Sequence, residues 1–483
     1  MNKKIIYIFI FLINSINCYI KIPLKYIPTK EFNETNPSNI LNSIISQKLY
    51  GSIEIGSPKQ KIDVRIEFNS KNFYISKNDS SFHNLEKNLF YKLKIYKPHY
   101  SNSLKILEEG ILFSDNILIM SSIAKDYFYF NNKKLEIEFI LADVLEEPSS
   151  GGIGLQLFQE ELSTTNINTE SFFEIMKNKG IINNYSWTII YNNKEGYDGY
   201  LFIGDYLHNI DNNDLFLNEK KYYKNYLNSI YAYTYDNVIK TEFDMDELII
   251  YKRNENQENS NEIIKDSKYL HTKLDYNFLG IVGPQFIRIY LENNILTDKN
   301  GCNKDNFFLE GKRYFFYYWE KNNLIIKKLK NIFPKIQFIN YHFNSNFTIL
   351  PDDLFIEKDK YIYCLMLFVL SGKDEWILGT PFVKKYQFMY EQESKRIFYY
   401  SSKNVITIDG IDKLTLIKII IILFVIFTLL GFFIGRIIYK RHFKKLRINE
   451  LDENYEYNSY DNNKNNKEIK EIKIEMTKKI FNE

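Results

Sequence analysis

The sequence predicts an all-β ectodomain followed by a single C-terminal transmembrane helix. Three observations predict it. From Leu49 onward, short runs rich in Ile, Tyr, Phe and Val alternate with Asn, Ser, Gly and Lys turns, the rhythm of strands bounded by turns. Ile419 to Gly435 ("IIIILFVIFTLLGFFIG") carries no charge, and with its flanks it is long enough to cross roughly 30 Å of hydrocarbon. Residues 1–18 open with Lys3-Lys4, continue with apolar Ile5 to Ile13 and end in small and polar residues. That is the build of a secretory signal peptide, since about nine apolar residues are too few to span a bilayer.

The remaining features follow from this topology. Arg436, Lys440, Arg441, Lys444, Lys445 and Arg447 follow the apolar run, whereas Lys413 and Lys418 precede it. The positive side faces the cytosol, so a type I single-pass protein of the secretory pathway or cell surface is expected, with its ectodomain lumenal or extracellular. Sequons at Asn33, Asn78, Asn184 and Asn346 fall on the lumenal side and make these residues glycosylation candidates. Once the leader is removed, Cys302 and Cys364 remain. An even pair in an oxidising compartment predicts one disulfide; two buried thiols would suit a cytosolic protein.

The individual elements fit an all-β plan. "GSIEIGS", "KIDVRIEF", "KLKIY", "GILFSDNILIM", "LEIEFIL", "YSWTIIY" and "GYLFIGDY" read as strands. Apolar spacing shifts toward three and four at Thr169–Lys179 and Pro284–Asn294, which predicts short helices. Lys252–Lys268 is polar and charged and reads as a surface insertion. At 483 residues and 45% hydrophobic, the chain can bury a sizeable core, and a formal charge of +3 gives no case for a nucleic-acid partner. No zinc spacing, phosphate loop or Ser/His/Asp signature appears, and neither metal nor cofactor is expected. The tail carries "DENYEYNSYDNNKNNK", expected to be disordered, and "EIKEIKIEMTKKIF", expected to be a solvated, partly formed helix.

Between Leu49 and Tyr400 the chain resembles the pepsin-like aspartic peptidases. Tyr50-Gly51 through Ile55-Gly56, Pro58 and Gln60 lie on the family's Y-x-G-x-I-x-I-G-x-P-x-Q. Ile66-Glu67-Phe68-Asn69-Ser70 then stands on F-D-T-G-S, and Leu274-Asp275-Tyr276-Asn277-Phe278 on V-D-T-G-T. "GILFSDNI" is similar to the strand after the family's flap, "GGIGL" to D-G-I-L-G-L, and "WILGTPFVKKY" to W-I-L-G-D-x-F-L-x-x-Y, with Thr380 where an Asp is usual. Cys302 and Cys364 follow the order in which the family's second lobe places a disulfide. The resemblance implies a two-lobed fold with one acid per lobe, and the separation of about two hundred residues between Glu67 and Asp275 suits such a duplication. The implied order is leader 1–18, a short pro-segment or extension 19–48, first lobe 49–205 and second lobe 206–405. A stalk at 406–415, a transmembrane helix at 416–438 and a cytosolic tail at 439–483 complete it.

Family catalysis uses two carboxylates about 3 Å apart that share one proton and activate a water. The resemblance places Glu67 and Asp275 in those roles. Glu67 is one methylene longer than Asp, about 1.5 Å, where a displacement of about 1 Å costs about a hundredfold in rate. Phe68 and Tyr276 replace threonines whose hydroxyls reach across between the loops, and Asn69 and Asn277 replace glycines that let main-chain amides crowd the carboxylates. The matched changes imply that Phe68, Asn69, Tyr276 and Asn277 repack a cleft floor where the loops meet. Tyr100 is the candidate flap residue, without the family's flanking glycines. Three readings follow: a catalytically impaired homologue that binds peptide or protein in the cleft, an acid endopeptidase using Glu67 and Asp275, and a surface glycoprotein that only reuses the fold.

Overall fold

The computed structural model describes residues 18–28, 36–77, 93–114, 118–130, 133–142, 151–158, 170–191, 198–210, 224, 227–251, 262–266, 270–297, 300–369, 375–400, 431, 434–444 and 475–477. They fall in two units, Met1–Ser401 and Ser402–Glu483.

The first unit is built on strands. In the first half these are β1 (Ile20–Pro28), β2 (Gln47–Ile55), β3 (Gln60–Glu67), β4 (Phe73–Ser76), β5 (Lys105–Ser114), β6 (Leu118–Phe130), β7 (Lys133–Ala142), β8 (Gly151–Gly154), β9 (Ser186–Tyr191), β10 (Gly199–Ile203) and β11 (Leu227–Tyr231). The second half contributes β12 (Leu270–Leu274), β13 (Ile281–Val282), β14 (Asn303–Leu309), β15 (Lys312–Glu320), β16 (Tyr361–Cys364), β17 (Met366–Val369), β18 (Trp376–Leu378), β19 (Phe388–Glu391) and β20 (Arg396–Tyr400). A 13-stranded sheet runs β11-β20-β19-β9-β10-β1-β2-β3-β8-β4-β7-β6-β5. One end of this sheet therefore joins the two halves of the unit, because β19 and β20 come from the end of the second half and β19 pairs with β9.

Each lobe carries the same local arrangement at its acid. β3 lies parallel to β8, with Glu67 opposite Gly154; β8 runs antiparallel to β4, and β4 parallel to β7. Likewise β12 lies parallel to β18 with Leu274 opposite Leu378, β18 antiparallel to β13, and β13 parallel to β17. In both lobes the acid-bearing strand turns sharply and returns on the far side of a strand from a distant part of the chain. The crossing is tight enough to require glycine. A Cβ on Gly154 would lie 2.3 Å from the Ser70 carbonyl oxygen, and one on Gly379 would lie 2.1 Å from that of Phe278.

α1 (Pro37–Ile45) starts with Pro37 behind an Asn36 cap, and packs Ile40, Leu41 and Ile45 on second-lobe residues including Phe278, Tyr314, Phe316 and Tyr363. α2 (Phe172–Asn178) and α3 (Gln285–Asn294) lie within the two expected helical stretches; Ser171 and Glu174 close a capping box on α2. α4 (Asn323–Ile332), capped by Asn322, was not expected from the sequence. "KLKIY" forms no strand: the Asp63 carboxylate takes the Lys94 amide at 2.9 Å while the Asp63 amide donates to the Lys94 carbonyl. Part of the expected surface insertion, Glu262–Asp266, is a strand paired with residues 248–251.

Four expectations change or fall outside the described residues. Cys302 and Cys364 are buried thiols and form no disulfide. Asn303 pairs with Tyr318, and Tyr318 with Tyr363, so β15 runs between them. Two strand spacings are roughly 9–10 Å, beyond the about 7 Å that a disulfide bridges between Cα atoms. The leader, 1–18, lies outside the described residues except for Cys18. Most of the 416–438 span does too, and no helix among the described residues is long and apolar enough to cross a membrane. Residues 20–28, expected in a pro-segment or extension, form an interior strand between β10 and β2.

Gly154→Ala and Gly379→Ala should each destabilise the protein by about 3 kcal/mol or more, because backbone and not a flexible side chain stands in the way. Urea unfolding of the two variants checks this; wild-type midpoints would mean that the crossings have room for a Cβ.

Candidate functional site

The acid at the end of β3 is held by its own lobe. Arg65 and Glu67 are two apart on one strand and so share a face, and Arg65 Nε lies 2.7 Å from Glu67 Oε1. Arg65 faces Gly152 across the sheet, and Gly152 faces Tyr74. A Cβ on Gly152 would strike the Tyr74 ring at 2.5 Å, so the glycine makes room for that ring. Its hydroxyl then donates to Glu67 Oε1 at 3.1 Å. Arg65 and Tyr74 thus hold the Glu67 carboxyl from its own half of the unit.

Asp275 sits differently. Its Oδ1 accepts the Asn277 amide at 3.0 Å, and Asn277 Oδ1 accepts the Leu49 amide of β2 at 3.0 Å, which ties the turn to the first lobe. Desolvation pushes the Asp275 carboxyl above its ordinary 3.8, against the downward pull of Lys273, the Asn277 amide and Lys48; Glu310 adds to the rise.

Between the acids the floor is aromatic. Phe68 stacks on Tyr276 with centroids 5.1 Å apart and planes at 20°. Beneath them Trp187 and Tyr390, directly opposite on β9 and β19, stack at 4.2 Å. Phe68 touches Trp187 at 5.4 Å, and the Tyr276 hydroxyl reaches that of Tyr390 at 3.3 Å. Such pairs contribute about 0.5–1.5 kcal/mol each beyond area burial. Tyr26 completes the join. Its hydroxyl donates to the Tyr276 carbonyl at 2.9 Å, and lies 3.0 Å from Thr380 Oγ1 and 3.2 Å from the Tyr191 hydroxyl. Thr380 thus belongs to a buried neutral network. Burial holds Tyr26, Tyr191, Tyr276 and Tyr390 above the ordinary tyrosine range, so they remain neutral.

A cavity of about 260 Å³ opens above this floor. Glu67, Phe68, Asn69, Asp275, Tyr276 and Asn277 line it, with Lys48, Lys240, Thr241, Glu242, Lys273 and Leu274 around them. All six residues expected at the dyad and cleft floor are therefore brought together. Tyr100 does not line the cavity: it lies 56% exposed in a short 3-10 turn, Pro98–Tyr100. The next residue is fastened at the other end of β3, where Ser101 Oγ accepts the Ser57 amide at 3.0 Å and donates to buried Asp126 at 2.8 Å. That is roughly 23 Å of strand from Glu67. Asn184 donates to Asp205 at 3.5 Å and Asn346 is exposed on the strand Ser345–Ile349, whereas Asn33 and Asn78 lie outside the described residues. Among the described residues no cluster of acids, histidines and cysteines could hold a metal ion.

One acid per lobe, each at a repeated crossing and both facing one cavity, is the geometry against which relatives are judged. Residues 48–242 match the family model of the eukaryotic aspartyl proteases. No curated protein matches the chain. The matched stretch contains Glu67 and reaches the cavity at Glu242, while Asp275 lies beyond it and is placed by the structural repeat. Arg65, Tyr26, Trp187, Tyr390 and Gln156 went unnoticed in the sequence. Gln156, wholly buried, fixes the floor to the lobe junction, exchanging two hydrogen bonds with the Ile239 backbone (2.9 and 3.0 Å) and donating to the Phe68 carbonyl.

Tyr26→Phe should cost about 1–3 kcal/mol, since it leaves buried partners of that hydroxyl unsatisfied; thermal melts measure it. Asp275→Asn tests the other acid. A raised folded-state pKa stabilises the fold fully below the ordinary 3.8, and that contribution is lost as pH rises through the folded value. The Asn variant should therefore melt above wild type at neutral pH, with the gap closing toward acid; a gap that widens toward acid would refute the assigned direction.

Proposed function

We propose that this chain is a membrane-anchored, aspartic-peptidase-like protein of the secretory pathway whose cleft binds peptide or protein without cutting it. The observation that carries the reading is the pairing of Glu67 with Arg65, 2.7 Å away. Two carboxylates serve as a peptidase dyad when they share one proton, because like charges that close cannot both ionise. Arg65 compensates Glu67 from its own strand and takes away the electrostatic reason for sharing. The Phe68–Tyr276 stack stands where hydroxyl-bearing side chains would brace and aim the two acids. The cavity remains open and lined by backbone and charged side chains that a peptide can use. The uncharged run at 419–435 and the leader-like start support the anchor and the compartment.

A second reading, a slow acid endopeptidase, draws on one observation: both acids line one cavity, and desolvation raises the Asp275 carboxyl toward a general acid's range. Incubating the full-length protein with an unfolded substrate between about pH 3 and pH 6 separates the two. The binding reading expects intact substrate throughout. Cleavage abolished by both Glu67→Gln and Asp275→Asn would overturn it in favour of the second.

A further inference from the structure

The strand Ser345–Ile349 is the end strand of a four-stranded sheet and pairs on one side only, with Lys335–Asn340. Alternate residues of a strand point to opposite faces. Phe347 and Ile349 are buried in the core, so Asn346 and Thr348 point away from it, and Asn346 is exposed. Both polar members of the sequon Asn346-Phe347-Thr348 therefore share the outer face.

The free edge of this strand needs a guard. Thr348 turns its backbone to that edge, where its amide donates to the Tyr386 hydroxyl at 2.6 Å and its carbonyl accepts from the same hydroxyl at 3.1 Å. Backbone groups of an antiparallel strand alternate between partner and edge, so Asn346, two positions earlier, turns its amide and carbonyl outward in the same way. Open edges are templates for pairing with another chain, and charged side chains or proline commonly blunt them. The sequence Ser345-Asn346-Phe347-Thr348-Ile349 holds neither. Apolar surface adds to the hazard: Tyr341, in the turn before the strand, is 61% exposed, and its hydroxyl donates to Glu247, which pairs with Ile339 as Asn346 does from the other side.

The other sequon among the described residues is placed differently. Ser186 is fully buried, and Asn184 is half-buried with its amide on Asp205 at 3.5 Å. A glycan is bulky and belongs on the surface, and Asn346 offers that room where Asn184 does not.

We propose that Asn346 carries an N-linked glycan that shields this edge, and that Asn184 stays unmodified. The donor is a lipid-linked oligosaccharide diphosphate. Its anomeric C–O bond breaks, the diphosphate leaves with the electron pair, and a C–N bond forms to Asn346 Nδ2, which gives up one proton. The proposal rests on the secretory-pathway part of the reading above and adds a modification and its purpose.

Translation of the full-length chain into endoplasmic-reticulum microsomes tests the site. Asn346→Gln and Thr348→Ala should each lose one N-glycanase-sensitive mobility step, Thr348→Ser should keep it, and Asn184→Gln should lose none. No lost step in Asn346→Gln, from an ectodomain that the vesicles protect against added protease, would overturn the proposal and leave the compartment reading standing. A step lost in Asn184→Gln would overturn the selection between the sequons. An ectodomain digested outside the vesicles would remove the compartment reading, and the proposal with it. Size-exclusion chromatography of the purified full-length protein tests the purpose. Asn346→Gln should elute as dimers or larger species at an unchanged melting temperature, whereas Asn346→Lys, which puts a charge on the edge, should elute with wild type. Co-elution of Asn346→Gln with wild type would overturn the shielding role.

Discussion

Phe68 on Tyr276 is the contact on which the rest of the site depends. Each ring follows its lobe's acid directly in sequence, so the stack fixes where both acid-bearing turns lie. Its support is shared: Trp187 comes from β9 of the first half and Tyr390 from β19 of the second, paired as neighbours in the sheet that joins the lobes. Tyr26 and Asn277 add hydrogen bonds across the same junction. Apolar rings thus do by area and shape what a pair of short hydroxyls would do by direction.

The electrostatics follow from that frame. With its neighbours aromatic, Glu67 finds its partners along its own lobe, in Arg65 and Tyr74. Asp275 remains desolvated at the cavity floor, with lysines at a distance to moderate the cost. The two acids occupy one cavity yet answer to different surroundings. On the proposed reading, the repeated crossings at Gly154 and Gly379 preserve the cleft while its chemistry has changed.

Much of this was legible in the residues. The two acids, the aromatic and Asn that follow each, and the strand rhythm from Leu49 were readable in the sequence, and the structure sets those six residues around one cavity. Arg65 carried a usable signal, a cation two residues before an acid on a strand, and went unread. Tyr26, Trp187, Tyr390 and Gln156 gave none, because their partners are 83 to 354 residues away in the chain and only the fold brings them together. The cysteines misled for a related reason. Order along the chain matched a disulfide, but strand register puts β15 between them. Tyr100 lies away from the cavity because Ser101 and Asp126 anchor its segment at the far end of β3, a buried network that local composition does not announce.

The central claim is that Glu67 belongs to Arg65 and not to Asp275. A high-resolution crystal structure grown at acid pH with a peptide in the cavity tests it most directly. The account predicts that the Glu67 carboxylate stays on Arg65 and Tyr74, with Phe68 still stacked on Tyr276. A Glu67 carboxyl swung away from Arg65 to within about 3 Å of Asp275, the spacing of a proton-sharing pair, would contradict it.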